Sequence, residues 1–203
     1  YPIVADFGTA TQEFHIGMGS IATPGAVRGM FEIHRDLGRM PLREIAQPAI
    51  TCARDGVRMN ALQSYIFDIV GSIYRASPDA FATFRSPADT GRLISEDERL
   101  RLPVFADFLD TLTREDDRLF YEGDIAQRLI ADCAQHGGHL TADDLHHYQV
   151  IRREPLQVAY RDTRILTNPP PSCGGLLIAF ALRLLEGADI GANGFGSLHH
   201  LAV

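Results

Sequence analysis

The sequence contains no lysine, and all 19 of its basic residues are arginines. A lysine that forms a Schiff base with a substrate, or the lysine of a phosphate-binding P-loop, therefore cannot come from these residues. Cysteine is also scarce: Cys52, Cys133 and Cys173 are far apart and form no CxxC pair. This spacing indicates neither a disulfide framework nor a cysteine zinc site. No apolar run reaches the ~18 residues of a membrane helix, and no basic-then-apolar signal segment opens the chain.

The composition is that of an ordinary globular protein. Hydrophobic residues make up 45% of the 203 residues and charged residues 22%, which is enough for one substantial core. The net charge of −7 argues against nucleic acid as a partner, because it provides no basic surface. Tyr1 already belongs to a strand-like segment, and the last residues stop within an apolar pattern. We therefore expect 1–203 to be a single partial domain of a longer chain.

Apolar periodicity predicts a helix-rich first part. In the first helix, Thr23 is expected as N-cap, Pro24 as the first helical residue and Gly38 as the stop. Its apolar side is predicted to carry Val27, Met30, Phe31 and Ile33. A second helix over 42–56 should be kinked or split at Pro48. Further helices are expected over 61–74, 103–116 and 123–137, with a short one opened by Thr141.

Two polar stretches are interpreted as solvated surface. Residues 86–103 are charged and bracketed by proline, which is typical of a surface loop. The acidic run Glu115, Asp116 and Asp117 is most simply a solvated helix end. Neither stretch is assigned a function.

The amino-acid composition changes after Tyr148. Valine, isoleucine and tyrosine over 148–171, with a polar turn at Arg161-Asp162, predict two or three strands. The following segment, 173–187, is almost entirely apolar and predicts a helix that is buried on most faces. With the strand at the beginning, the order of elements indicates an α+β fold class.

The stretch "NPPPSCGG" at 168–175 joins these strands to the apolar helix. Its prolines should end the strand, and its last residues should lie at a helix N-terminus. Ser172 is expected to cap the helix while the glycines permit close packing, although a helix N-terminus also favours an anionic ligand. Cys173 could be a nucleophile with a lowered thiol pKa, but the sequence identifies no base for it.

Three other motifs give weaker evidence of a function. His136, His139, His146 and His147 lie near two aspartates, but their spacing fits no zinc pattern, so no metal site is predicted. The triplet Asp6-Phe7-Gly8 matches a kinase magnesium motif without the rest of the kinase set. The glycines at 17–25 lack the spacing of a dinucleotide loop and indicate a turn into a helix. From the residues alone, no catalytic set or cofactor site emerges.

Four stretches, in order, resemble the large subunit of the γ-glutamyltransferases, also called γ-glutamyltranspeptidases. They are residues 23–57, 119–162, 165–187 and 194–203. The most specific motifs are TPG at 23–25, GRMPL at 38–42, ARDG at 53–56, YEG at 121–123 and PPPSCGG at 169–175.

The resemblance implies a partial αββα sandwich of the N-terminal-nucleophile hydrolase type, made as a precursor that cuts itself into two subunits. A threonine at the start of the small subunit would be the nucleophile, and its own amine would be the base. The expected partners are that small subunit, a γ-glutamyl or other amide substrate, and water or an amine as acceptor. No catalytic residue lies in this chain, which alone should be inactive. Many bacterial relatives are periplasmic or secreted, so a similar location is expected by analogy.

Two departures from the family pattern concern substrate binding. Ser172-Cys173 matches a large-subunit motif that usually reads Ser-Ser, and we expect this pair near the site as support. Members also carry an Asp-Phe-Arg-Glu-like segment whose arginine binds the substrate α-carboxylate. Here the nearest stretch reads Asp6-Phe7-Gly8-Thr9, and Gly8 cannot make that contact. Either the arginine lies before Tyr1, or the protein acts on another substrate.

Three hypotheses follow. In the first, the full protein hydrolyses or transfers the γ-glutamyl group of amides such as glutathione. In the second, it is an acylase for another amide, as in cephalosporin acylases. In the third, it is a catalytically silent scaffold.

Overall fold

A computed structural model describes residues 1–189 and 194–202. The chain forms two compact units, Tyr1–Val150 and Ile151–Val203. Helices dominate the first unit, and a two-stranded hairpin with a helix forms most of the second. The predicted α+β mixture is thus confirmed. Within the described residues, no helix combines the length and apolarity needed to cross a membrane. Of the trailing segment 194–203, Val203 lies outside the described residues.

The first unit opens with an antiparallel hairpin of β1 (Pro2–Asp6) and β2 (Thr11–His15). The predicted first strand is confirmed, and the second was not anticipated. A second, very short antiparallel pair joins β3 (Val57–Arg58) to β4 (Arg99–Leu100). The helices of this unit are α1 (Ala26–Leu37), α2 (Leu42–Asp55), α3 (Ala61–Ile69), α4 (Gly71–Tyr74), α5 (Pro78–Phe84), α6 (Pro103–Glu115), α7 (Arg118–Tyr121), α8 (Asp124–Gln135) and α9 (Ala142–His146).

Helix α1 begins two residues later than predicted. Its N-cap is Gly25, which offers no side-chain cap, so the expectation for Thr23 and Pro24 was wrong. A hydroxyl from a distant tyrosine caps the helix instead, as described below. Gly38 ends α1 as predicted. The predicted apolar side is only partly correct: Val27 is buried, whereas Met30 and Ile33 are 57% and 63% exposed.

The other predicted helices of the first unit are confirmed in part. Helix α2 runs through Pro48, so the predicted split is absent, and it ends at Gly56 as predicted. The predicted run over 61–74 is divided at Val70 into α3 and α4. Thr141 caps α9 as predicted, because its hydroxyl accepts the N–H of Asp144 while the Asp144 carboxylate accepts the N–H of Thr141 at 2.8 Å.

The core of the first unit lies between α1, α6, α8 and α9. Helix α2 packs along α6 on the neighbouring side. Burial of these apolar side chains supplies the main stabilisation, at about 1.5 to 3 kcal/mol for each large one. The thiol of Cys133 is fully buried there and acts as a small apolar side chain. The buried cluster consists of Val27, Leu112, Tyr121, Ala126, Cys133, Leu140 and Leu145.

The second unit confirms the predicted strands. β5 (Leu156–Tyr160) and β6 (Thr163–Thr167) pair antiparallel around a turn at Arg161-Asp162, where Arg161 has a φ of 52°. Helix α10 (Cys173–Leu185) packs on these strands, and α11 (Leu198–Ala202) follows.

Helix α10 is not buried on most of its faces, contrary to the prediction. Only Gly175 and Ala179 are buried, because two strands cover a single stripe of a helix that is apolar all round. The large side chains that remain exposed are Leu176, Leu177, Ile178, Phe180 and Leu184.

Candidate functional site

The proline turn between β6 and α10 holds the predicted Ser172-Cys173 pair. The Pro170–Pro171 peptide bond is cis. The N–H of Ser172 donates to the carbonyl of Pro169 at 3.1 Å, and the Arg153 guanidinium lies 3.4 Å from the carbonyl of Pro170. The backbone of this turn is therefore held from both sides.

Ser172 is the N-cap residue of α10, but its hydroxyl makes no capping hydrogen bond. The expectation that its side chain caps the helix is wrong in that respect. The backbone there adopts φ −68° and ψ 113°, so the chain enters the helix from an extended conformation. The partly exposed hydroxyl is thus not used to hold the helix.

Cys173 is exposed at the first helical position. Its thiol lies 4.0 Å from the carbonyl of Pro171, a long and weak contact. No titratable side chain in the described part of the chain hydrogen-bonds this sulfur, so the structure assigns it no base. The arrangement places Ser172 and Cys173 next to each other without making either one an activated nucleophile.

The two glycines of the motif differ in their surroundings. A Cβ on Gly175 would overlap the carbonyl of Asn168 and lie 2.9 Å from the Thr167 hydroxyl. The expected close approach of helix and strand is confirmed at this position. A Cβ on Gly174 would meet nothing within 4 Å, so Gly174 is not needed for packing.

A second group of residues surrounds the start of α1. The hydroxyl of Tyr121 donates to the carbonyl of Pro24 at 2.7 Å and accepts the N–H of Arg28 at 3.2 Å. It therefore supplies the cap that Gly25 lacks. Burial raises the pKa of the Tyr121 hydroxyl, which favours its neutral, donating form. Tyr121 is the first residue of the YEG motif, so this motif has a clear structural role.

The side chain of Arg28 completes this clasp, the group formed by Arg28, Asp117, Tyr121 and Tyr148. Its guanidinium lies 4.0 Å from the centre of the Tyr121 ring, and its Nε donates to the Asp117 carboxylate at 2.8 Å. A terminal nitrogen of the guanidinium donates to the carbonyl of Tyr148, whose ring stacks on Tyr121 at 5.8 Å. Three groups thus fix one guanidinium, which ties α1, α7 and the end of α9 together.

The acidic run at 115–117 was predicted to be a solvated helix end, and this was wrong for Asp117. Nothing in the sequence indicated the clasp. Asp117 was expected in a solvated helix end, but its side chain is only 15% exposed and pairs with Arg28. Asp116 has a φ of 63° and accepts the N–H of Arg118, which ends α6 and turns the chain toward α7. No local pattern signals a partner 89 residues away in the sequence.

Residues 86–103 were expected to be a surface loop, and most of them are exposed and lie in turns, bends or irregular segments, so this expectation is confirmed in part. The side chains of Ser86, Leu93 and Ile94 are buried. Glu98 accepts hydrogen bonds from Arg92 at 2.7 and 2.9 Å and from the N–H of Ser95 at 2.8 Å.

Ser86 links this carboxylate to the loop backbone. Its hydroxyl donates to Glu98 and accepts the N–H groups of Ala88 and Asp89 at 3.1 and 3.0 Å. The Arg92 and Ser86 contacts lower the pKa of Glu98 to about 2, so this carboxylate stays ionised. The polar, charged sequence here therefore encodes a surface loop that is held by hydrogen bonds around Glu98.

The Asp6-Phe7-Gly8 triplet and the histidines at 136–147 belong to neither the proline turn, the clasp nor the Glu98 network. Gly8, with a φ of +83°, sits in the turn between β1 and β2, where its N–H donates to the Asp6 carboxylate at 2.8 Å. His136 and His147 each contact a backbone carbonyl one turn earlier in their own helices. No group of three or more His, Cys, Asp or Glu in the described residues could hold a metal ion.

Comparison with solved structures gives the class of protein. The chain matches γ-glutamyltranspeptidase from Helicobacter pylori with a TM-score of 0.80 at 26% identity, covering 90% of this chain and 52% of that one. It matches the transpeptidase CapD from Bacillus anthracis with a TM-score of 0.72 at 25% identity, covering all of this chain and 70% of that one. The fold is that of part of an N-terminal-nucleophile hydrolase. More narrowly, the chain belongs to the gamma-glutamyltranspeptidase family, whose family model matches residues 4–202.

Relatives in this family differ in their named activity. An acylase ACY 1 proenzyme from Pseudomonas sp. (strain V22) is 34% identical over 93% of this chain. A glutathione hydrolase proenzyme from Escherichia coli (strain K12) is 31% identical over 90% of it. The chain spans about a third of the length of each, 33% and 31%.

Proposed function

We propose that the full protein containing this chain is a self-processing amidohydrolase that hydrolyses or transfers the γ-glutamyl group of glutathione-type amides. The observation that carries the proposal is the match of almost the whole chain to the family, which includes relatives named as proenzymes. The nucleophile of the proposal is an N-terminal threonine that is not part of this chain. An α-amine has a pKa near about 8, so it can accept the proton of its own hydroxyl at working pH.

In this proposal the described residues are framework and partner surface. We propose that residues 1–203 are a segment of the large subunit of this protein. The exposed apolar side chains of α10 are a surface for the small subunit of the same precursor. An isolated 203-residue chain is expected to be inactive, because it would carry no nucleophile and no oxyanion hole.

Ser172 and Cys173 are proposed to lie near the substrate as support. Their side chains sit at the N-terminus of α10, and the Ser172 hydroxyl is not used for capping. In the full protein, Cys173→Ser and Ser172→Ala should change KM or kcat by a few fold while self-cleavage still occurs. Cys52→Ser, on an exposed face of α2, is the matched control. Unchanged kinetics in both test variants would argue against the supporting role.

A second candidate is an acylase that acts on another amide. The 34% identity to an acylase proenzyme favours it. Gly8, in the exposed turn between β1 and β2, has no side chain that could bind a substrate carboxylate, and this departure motivates the second candidate.

The proposal is tested on the purified full-length protein by intact mass and N-terminal sequencing, before and after incubation at neutral pH. Two pieces, the smaller one beginning with threonine, support self-processing. A single uncut chain would shift the interpretation to a silent scaffold.

The substrate is tested on the cut protein. Release of p-nitroaniline from γ-glutamyl-p-nitroanilide, compared with an analogue that lacks the α-carboxylate, separates the two activities. Dependence on that carboxylate supports γ-glutamyl transfer or hydrolysis. Equal turnover of the analogue supports the acylase.

A further inference from the structure

The first unit carries an open cavity of about 650 Å³ that is independent of the clasp and of the proline turn. It lies between the end of α5, the segment after it, and β4. Its lining is partly apolar and includes three arginines, Arg85, Arg99 and Arg101. Among the described residues that line it, none is acidic. A cavity of this size and mixed character suits a small organic molecule.

The three lining arginines of this arginine cavity form no ion pair with the carboxylates of the neighbouring segments in the part of the chain that the structure describes. Glu98 is bound by Arg92, Ser86 and Ser95, and Asp89 lies 3.8 Å from the Arg92 guanidinium. Arg92 is therefore the ion-pair partner of both Glu98 and Asp89. Farther along the chain, Asp97 pairs with Arg58 at 2.9 Å. These pairs leave the three lining arginines without an acidic partner in the described part of the chain.

The donors of the lining arginines are only partly used. One terminal nitrogen of Arg99 donates to the carbonyl of Gly56 at 2.8 Å, and Nε of Arg101 donates to the carbonyl of Asp55 at 3.1 Å. These bonds fix the two arginines beside β3 while leaving further N–H groups of each guanidinium for a ligand. Arg85 follows α5 directly, and its backbone is held by a bridge to Leu93.

We propose that the arginine cavity binds a small organic anion with two or more acidic groups, carboxylate or phosphate. Guanidinium groups bind both kinds of acid by paired hydrogen bonds. The apolar side chains of Ile94, Leu100 and Pro87 contact the carbon body of the ligand. The rigid wall for this ligand comes from Ser86, whose hydroxyl holds the backbone of Ala88 and Asp89. The proposal does not depend on the proposed amidohydrolase activity.

The test is calorimetric titration of the full-length protein with citrate and, separately, with pyrophosphate, at fixed ionic strength and with sulfate as a simple dianion. The expected result is saturable one-to-one binding of citrate or pyrophosphate, and the stronger of the two identifies the acid type. Arg85→Gln and Arg101→Gln should each weaken the Kd about tenfold, since each removes a charge-assisted contact. Arg43→Gln, which removes an exposed arginine from α2, should leave the Kd unchanged.

Folding of the variants is checked by thermal melting followed by circular dichroism. Arg85 is the primary variant, because its side chain is exposed and its loss removes no backbone contact of the fold. The proposal is overturned if neither polyacid shows saturable binding, if Arg85→Gln and Arg101→Gln bind as well as the parent, or if Arg43→Gln loses affinity equally. Equal loss in all three variants would show that only the net charge of the protein matters.

Discussion

Tyr121 contacts Arg28 twice: its ring faces the guanidinium at 4.0 Å, and its hydroxyl accepts the backbone N–H of the same residue at 3.2 Å. The two residues are 93 positions apart in the sequence. One tyrosine therefore caps α1 and positions the arginine that joins α1 to Asp117. The start of α1 depends on the packing of α7 against it, and not on a capping residue of its own.

Tyr121→Phe should lower the free energy of unfolding by about 1 to 2 kcal/mol. The variant keeps the ring contacts but leaves the N–H of Arg28 and the carbonyl of Pro24 without their partner. Chemical denaturation of the full-length protein measures the change. Tyr65→Phe is the control, because Tyr65 is 53% exposed and should give almost no change. Equal stability of the two variants would contradict the capping role.

The Arg28–Asp117 pair should show strong energetic coupling. A double-mutant cycle of Arg28→Gln and Asp117→Asn is expected to give about 1 to 3 kcal/mol, because both side chains are less than 20% exposed. The Arg54–Asp107 pair has a similar separation of 2.7 Å but is 50% and 73% exposed. Its cycle should give less than about 1 kcal/mol. Similar coupling in the two cycles would show that burial does not set the difference.

Gly175→Ala should destabilise the second unit, whereas Gly174→Ala should not. A Cβ at Gly175 overlaps Asn168, so helix α10 must move away from β6. The same change at Gly174 meets open space and should stabilise the helix by up to about 1 kcal/mol. Thermal melting of the full-length protein compares the two neighbours. A tolerated alanine at Gly175 would mean that this close approach is not required.

Glu98 should add an acid-sensitive component to stability. Its folded-state pKa of about 2 lies below the usual 4.5, so its contribution is complete above the usual value and is lost as the pH falls toward about 2. Glu98→Gln should cost about 1 to 3 kcal/mol at neutral pH and flatten the stability profile in that window. Denaturation midpoints at a series of acidic pH values measure both effects. Glu44→Gln, at an exposed position of α2, should leave the profile unchanged.

The sequence by itself determined the features that depend on neighbours along the chain. The Thr141 cap, the Gly38 and Gly56 helix ends and the Arg161-Asp162 turn all follow from short-range backbone chemistry, and each is present in the structure. The family could also be recognised from the sequence, because the TPG, GRMPL, ARDG, YEG and PPPSCGG motifs follow one another in the order found in the family.

Only the tertiary structure decided which polar residues are internal. The chain from 86 to 103 reads as solvated, yet it folds around Glu98 because Arg92 and Ser86 converge on one carboxylate. Likewise, the Tyr121 hydroxyl replaces the expected Thr23 cap, since a distant donor and acceptor can satisfy a helix end as well as a local side chain. Hydrophobic periodicity records which residues can be buried, whereas the pairing of distant polar groups depends on how the helices pack.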